Sequence, residues 1–269
     1  MTYMHYGEPQ YWDVRYQDEQ ATSSSGFENF DWFITFKDAY STFESVINDR
    51  EKSNILVVGV GKSDVIDVLY KKGFREIVSI DISPTIINQM KAQYKDYVGV
   101  EFFVMDVREL NLIQDQSFSI IIDKGCYDAG FCSVDMYENS ERWCSEIYRV
   151  MKDEGVCCLF SHASLPSRIP YLRYKSWAID VFPITLGDTL NMYALTRTTN
   201  VERVGRKFPG AEIVNPEEVV SKSVVSSIDQ TQNKVSRTKT AANSGSVTVT
   251  SSIEILAKMV ADNEESEGK

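Results

Sequence analysis

Apolar runs and amphipathic stretches alternate along most of this chain. Ile55, Leu56, Val57 and Val58 form an apolar, largely β-branched run of the kind needed by a strand buried on both faces of a parallel sheet. The run breaks at Gly59 and Gly61 into an amphipathic segment, and a second apolar run ends in Asp81. Strand, glycine turn, helix and strand together predict one βαβ unit. Pro84 to Tyr94 reads as a helix, with Ser83 as its N-cap and Pro84 in its first turn. Val100 to Val104 and Phe118 to Ile122 read as strands, closed by Asp106 and Asp123. Asp135 to Met151 carries a helical period, and Gly155 to Ser161 is expected as a fifth strand after an Asp-Glu-Gly turn. A segment punctuated by Pro166 and Pro170 leads to two further apolar runs, Trp177 to Ile184 and Met192 to Thr198, expected as an antiparallel pair. This order predicts an α/β sheet with helices on both faces.

From about Ser221 the composition turns to Ser, Thr, Asn and Lys with few large apolar residues. Burial there cannot offset the entropy of ordering the chain. Residues 1–220 are expected to form one domain and 221–269 a largely disordered tail. A short amphipathic segment at 253–260 either packs back on the domain or binds a partner.

The βαβ unit suits a nucleotide-like ligand. Its glycines let ligand atoms approach the backbone, and Asp81 is placed to accept hydrogen bonds from ribose hydroxyls. Gly61, Lys62 and Ser63 spell the end of a P-loop, but Leu56 stands where the first glycine of that motif belongs. A dinucleotide fingerprint needs a third glycine where Asp64 stands, and a carboxylate there repels a pyrophosphate. S-adenosylmethionine has no phosphate and tolerates both departures. A bare pair of glycines also serves simply to turn a strand into a helix.

With 269 residues and 43% hydrophobic content, the chain can bury one substantial core. No apolar run approaches the roughly 20 residues of a membrane span, and the opening MTYMHYGEPQ has no signal-peptide pattern. Five cysteines without paired spacing point to reduced thiols in the cytosol or nucleus. With only His5 and His162 available, the expected chemistry is metal-free. The net charge of −11 argues against nucleic acid as a partner and is compatible with a basic protein substrate, as with plain solubility.

The segments YWDVRYQDE (Tyr11 to Glu19), FDWF (Phe30 to Phe33), the glycine turn, SIDIS (Ser79 to Ser83), MDVREL (Met105 to Leu110) and SFSIIIDKGCYDA (Ser117 to Ala129) occur in a telling order. In that order they resemble class I, seven-strand S-adenosylmethionine-dependent methyltransferases. More narrowly, the chain resembles the methyltransferase-like group of elongation factor 1-alpha lysine methyltransferases, over residues 6–200. The resemblance implies a Rossmann-like seven-stranded sheet and a cofactor-capping segment at 6–36.

It also implies residue roles. Gly59 and Gly61 would line the methionine end of the cofactor, Asp81 would bind the ribose, and Ile82 would lie against the adenine. Asp106 and the Val107 N–H would read the adenine edge. Trp12, Tyr16 and Trp32 would cover the sulfonium, and Arg15 would approach the cofactor carboxylate or form a surface ion pair. Lys124 would make its contact through its backbone carbonyl, because an ammonium repels a sulfonium. Asp123 and Asp128 are the candidates for steering an incoming amine, and Cys126 is expected to pack. Val57, Val60 and Lys62 depart from the family pattern, and Lys62 is expected to point to solvent or to pair with Asp64. The implied function is methylation of a lysine on a cytoplasmic protein, with elongation factor 1-alpha as the leading substrate. A small-molecule methyltransferase and a cofactor-binding module without turnover are the alternatives. The lack of a long insertion between the late strands favours an open site and a bulky substrate.

Overall fold

Strand β1 (Asn54–Val58) runs through the middle of the sheet, and every side chain after Asn54 is buried. A computed structural model describes residues 6–23, 27–47, 53–174, 177–184 and 190–197, together with the backbone of 212–213. The composition-based tail, its amphipathic segment at 253–260 and the end of the last apolar run at Thr198 lie outside the described residues. Around β1 the chain forms β2 (Glu76–Asp81), β3 (Val100–Val104), β4 (Phe118–Lys124), β5 (Met151–Ser161), β6 (Trp177–Pro183), β7 (Asn191–Arg197) and the two-residue β8 (Glu212–Ile213). The strand order is β3-β2-β1-β4-β5-β7-β6-β8. The first five strands pair in parallel, and β7 pairs antiparallel with both β5 and β6. This is the expected Rossmann-like seven-strand arrangement, extended at one edge by β8.

Because both faces of β1 are covered, side chains alternate between two core layers. Ile55, Val57, Ile120, Ile122 and Phe160 face one layer, which is closed by α2 (Phe36–Glu44), α3 (Val65–Lys71) and α4 (Pro84–Gln93). Leu56, Val58, Ile121, Leu159 and Leu195 face the other, closed by α5 (Cys126–Phe131), α6 (Met136–Val150) and α7 (Leu165–Leu172). The Ser83 hydroxyl accepts the Ile86 N–H, so the expected cap of α4 is formed. A seventh helix, α1 (Pro9–Thr22), carries Tyr11 to Glu19 over the end of the sheet. No helix among the described residues is long and apolar enough to cross a membrane.

Three local expectations differ from the structure. β4 continues through Asp123 and Lys124, which pair with Leu159 and Phe160 of β5. The Asp-Glu-Gly segment is a bulge inside β5: that strand takes five steps from Met151 to Val156 while β4 takes two from Phe118 to Ile120. The proline-punctuated segment is helical, because Pro166 sits in the first turn of α7, where its missing N–H has no partner to lose.

The order of strands reverses between β1 and β4, so a crevice opens there at the carboxyl ends of the parallel strands. Gly59 sits at that crevice with φ +58°, and a Cβ on it would lie 2.6 Å from the Cys126 sulfur. The glycine therefore admits the start of α5 against the turn. Gly59→Ala should cost about 1–3 kcal/mol through backbone strain alone. It should lower the melting temperature by several degrees, roughly 2–4 °C per kcal/mol for a domain of this size. An unchanged melting temperature would show that this packing is not tight.

Candidate functional site

A cavity of about 1100 Å³, its mouth included, occupies the crevice. All eleven residues assigned to the cofactor line it: Trp12, Arg15, Tyr16, Trp32, Gly59, Gly61, Asp81, Ile82, Asp106, Val107 and Lys124. β1 ends at its floor, and β2 ends in Asp81, whose Oδ2 accepts the Gly61 N–H at 2.9 Å and Oδ1 the Ser83 N–H at 3.0 Å. Each oxygen keeps a further lone pair for a ligand hydroxyl. Burial pushes the Asp81 pKa up to about 6 against the pull of those N–H groups.

Asp106 is held differently. Arg108 grips its carboxylate through Nε at 2.9 and 3.0 Å and Nη2 at 2.6 Å, and the Arg108 N–H adds a bond at 2.9 Å. Burial raises the Asp106 pKa, but these bonds outweigh it and hold the carboxyl below its ordinary range. Arg108 reaches on to Asn139 at 2.8 Å, tying the turn after β3 to α6.

The roof comes from the N-terminal segment. Asp13 accepts the Ser83 hydroxyl at 2.5 Å and the Thr85 N–H at 3.1 Å, which docks α1 on the start of α4. The Trp12 indole donates to the Tyr6 carbonyl at 2.7 Å, and Trp12 meets Trp32 edge-on at 6.2 Å. The Arg15 guanidinium lies 5.2–5.6 Å from the rings of Trp32, Trp12 and Phe30 and bonds Glu19 at 2.8 Å. Lys62 pairs with Glu19 at 3.4 Å, so the expected pairing with Asp64 is not made. Asp64 instead accepts the Phe36 and Lys37 N–H groups at 2.7 and 3.2 Å, capping α2.

Lys124 and Asp31 form a buried ion pair at 2.8 Å, with side chains only 5% and 6% exposed. Asp31 also accepts the Ser63 hydroxyl and the Asp64 N–H. The Lys124 ammonium donates in addition to the Trp32 carbonyl at 2.8 Å. Burial pushes the Lys124 pKa down, and the Asp31 charge pulls it part of the way back. The ammonium is thus turned toward Asp31 and the roof.

The two aspartates expected to steer an amine do not line the cavity. Asp123 is fully buried and accepts the Tyr127 N–H at 3.1 Å and the Trp143 indole N–H at 2.9 Å. Asp128 accepts from Arg168 at 2.7 Å, the Ser161 hydroxyl at 2.6 Å and the His162 N–H at 2.9 Å. Both carboxylates are committed to internal donors, so the steering assignment is corrected to a structural one. Asp13, Asp31 and Arg108 were not singled out from sequence. The spacing of Asp106 and Arg108, two residues apart after a strand, was the one signal available for the last of these.

Burial pushes the Asp123 pKa from its ordinary 3.8 to about 7, despite the opposing N–H groups. An acid raised in this way stabilises the fold fully below its unfolded pKa, and that contribution is lost as pH rises through the folded value. Asp123→Asn removes the ionisation. The melting-temperature difference should therefore move in favour of the variant as pH rises from about 5 to about 8. A difference independent of pH would sink this account.

The cavity suits S-adenosylmethionine. Asp81 offers acceptors to a ribose diol, and the aromatic roof suits a sulfonium cation. Four cations on the wall, Arg15, Lys62, Arg108 and Lys124, each face a carboxylate, a poor arrangement for gripping a phosphate. A methyltransferase-domain family profile matches residues 49–195, more than half of the chain. The eEF1A lysine and N-terminal methyltransferase of Homo sapiens is 28% identical over 185 residues, covering 66% of this chain and 25% of the human protein. The chain thus spans about a quarter of the length of that relative. EEF1A lysine methyltransferase 4 of Bos taurus is 30% identical over 187 residues, covering 64% of this chain and 66% of the bovine protein. A solved TehB-like SAM-dependent methyltransferase from Corynebacterium glutamicum shares 16% identity at a TM-score of 0.49, over 71% of this chain and 98% of that one. With more than half its length matched, the chain belongs to the methyltransferase-domain family, and its cofactor is S-adenosylmethionine.

Proposed function

We propose that this chain methylates a lysine side chain of a protein, with a translation elongation factor 1-alpha as the acceptor. The observation that carries the reading is the similarity to proteins named as eEF1A lysine methyltransferases, joined to a donor cavity of fitting chemistry. The cytosol is the proposed place of action, in keeping with five cysteines that are all free.

When bound, the cofactor supplies a methyl carbon already activated for displacement by its sulfonium. The chain's own residues bind, orient and exclude water. Asp81 would accept the ribose hydroxyls, and Asp106 with the Val107 N–H would meet the adenine edge. Trp12, Tyr16 and Trp32 would face the cation and keep water from it. A lysine amine, with a reference pKa of about 10.4, must lose a proton before it attacks. Burial near a cation lowers that pKa. With Asp123 and Asp128 bound to internal donors, loss of the acceptor's proton to water is the route this reading adopts.

The direct test incubates the full chain with methyl-labelled cofactor and purified elongation factor 1-alpha. Label on a lysine of that protein is the expected outcome. In a parallel incubation with a cell extract, label confined to small metabolites would refute the protein acceptor, and cofactor binding without label in either incubation would refute turnover.

Asp81 supplies a second test. Losing charge-assisted hydrogen bonds in Asp81→Ala should weaken cofactor binding by roughly 1.5–3 kcal/mol, measured by calorimetry on the folded variant. Ribose hydroxyls bond better to the ionised carboxylate, whose pKa in the free protein is about 6. Wild-type affinity should therefore rise with pH through that value and be weaker on its acid side, while the variant is flat. A wild-type profile without this step would remove Asp81 from the ribose site.

A further inference from the structure

Phe33 is an aromatic residue of the N-terminal segment that does not line the cofactor cavity. Its φ is +69°, and the Ile34 N–H donates to the Trp32 carbonyl across it at 2.8 Å. These features define a γ-turn of the rare positive-φ form, costly for a bulky side chain. The same Trp32 carbonyl accepts the Lys124 ammonium, which pins the turn to the end of β4. Trp32 lines the cavity, whereas Phe33 is 42% exposed and stacks on the His162 ring at 5.4 Å and 21°.

Gly125 lies between the two aromatic sites. It lines the cavity, has φ +89°, and a Cβ on it would sit 3.6 Å from Phe33 Cε2 and 3.6 Å from Trp32 Cβ. His162 is exposed and follows β5 directly, with its N–H fixed by Asp128 at 2.9 Å. Asp128 is anchored in turn by Arg168 and Ser161. Two rings are thus held on rigid supports beside Gly125, a wall residue with no side chain to separate them from the cavity. If turning the chain were the only requirement, Gly or Asn would meet it at lower cost. An exposed Phe in that conformation points to a use at the surface.

We propose that the Phe33–His162 stack is an acceptor subsite, where a primary amine on a protein side chain lies against the rings before reaching the donor past Gly125. The apolar stem of a lysine side chain can lie along the rings while its ammonium is drawn to their faces. This inference rests on the proposed amine acceptor and adds where that acceptor binds.

The test uses the full chain saturated with S-adenosylhomocysteine and the end-blocked tripeptide Gly-Lys-Gly as the probe. The chain contains two histidines, so the His162 ring signals are easily followed by nuclear magnetic resonance. They should shift saturably with the lysine peptide, and far less with the same peptide carrying norleucine. Phe33→Gly removes the ring while suiting the positive φ, so the turn and the melting temperature should hold and cofactor affinity should be unchanged. Peptide binding should weaken about tenfold, the scale of a cation–π contact with its apolar packing. In turnover the same variant should raise the acceptor KM by a similar factor and leave kcat nearly unchanged, with Phe33→Tyr restoring it. Unmoved His162 signals in the wild type, or unchanged peptide affinity in Phe33→Gly, would overturn the subsite. Peptide binding without methyl transfer would instead sink the enzymatic reading and leave the subsite standing. Methyl transfer indifferent to Phe33 would do the reverse.

Discussion

The buried ion pair between Lys124 and Asp31 is the constraint on which the site depends. Taking both charges out of water is costly, and the pair persists because each partner is satisfied several times over. Asp31 takes the ammonium, the Ser63 hydroxyl and the Asp64 N–H, while Lys124 adds the Trp32 carbonyl. Removing either partner would leave an uncompensated charge beneath the roof. The same four contacts join three parts of the chain: the roof segment, the glycine turn after β1 and the end of β4. The placement of Trp32 over the cavity and the turn that carries Phe33 outward both follow from this one node.

Electrostatics inside the cavity follow a consistent pattern. Glu19 serves Arg15 and Lys62, Asp106 serves Arg108, and Asp31 serves Lys124. Asp81 alone among the cavity's strand-end carboxylates is held by backbone N–H groups instead of a cation. Its charge is therefore the one least compensated, which is why burial moves its pKa so far. A cationic ligand with a diol meets both needs of such a cavity, whereas a phosphate meets neither.

The parts legible in the sequence were those governed by local period and punctuation. β1 to β4 and the long helix α6 announced themselves because a doubly covered strand is apolar throughout and an amphipathic helix repeats every three to four residues. Helix α7 was hidden because its two prolines resemble loop punctuation, although the first occupies a permitted position. The bulge in β5 was hidden because Asp-Glu-Gly is ordinary turn chemistry, and only pairing with β4 shows that the strand continues through it. Within the site, glycines and strand-end aspartates carry positional meaning of their own. The fates of Asp13, Asp31, Asp123 and Asp128 do not, since a carboxylate's role is set by which distant donor the fold brings to it. Asp123 follows an apolar strand as Asp81 does, but α6 delivers a Trp143 indole to it and closes it off.

The bond from Lys124 to the Trp32 carbonyl joins residues 92 positions apart in the chain. During synthesis the roof segment emerges well before the strand end that fixes it. At ordinary translation speeds that interval is roughly 5–20 seconds. For that time Trp12, Phe30, Trp32 and Phe33 have no sheet to lie on, and their rings are open to whatever apolar surface is near. The N-terminal segment thus waits, with its rings uncovered, for a strand end made much later, which marks it as a part of this chain in need of protection while it is being made.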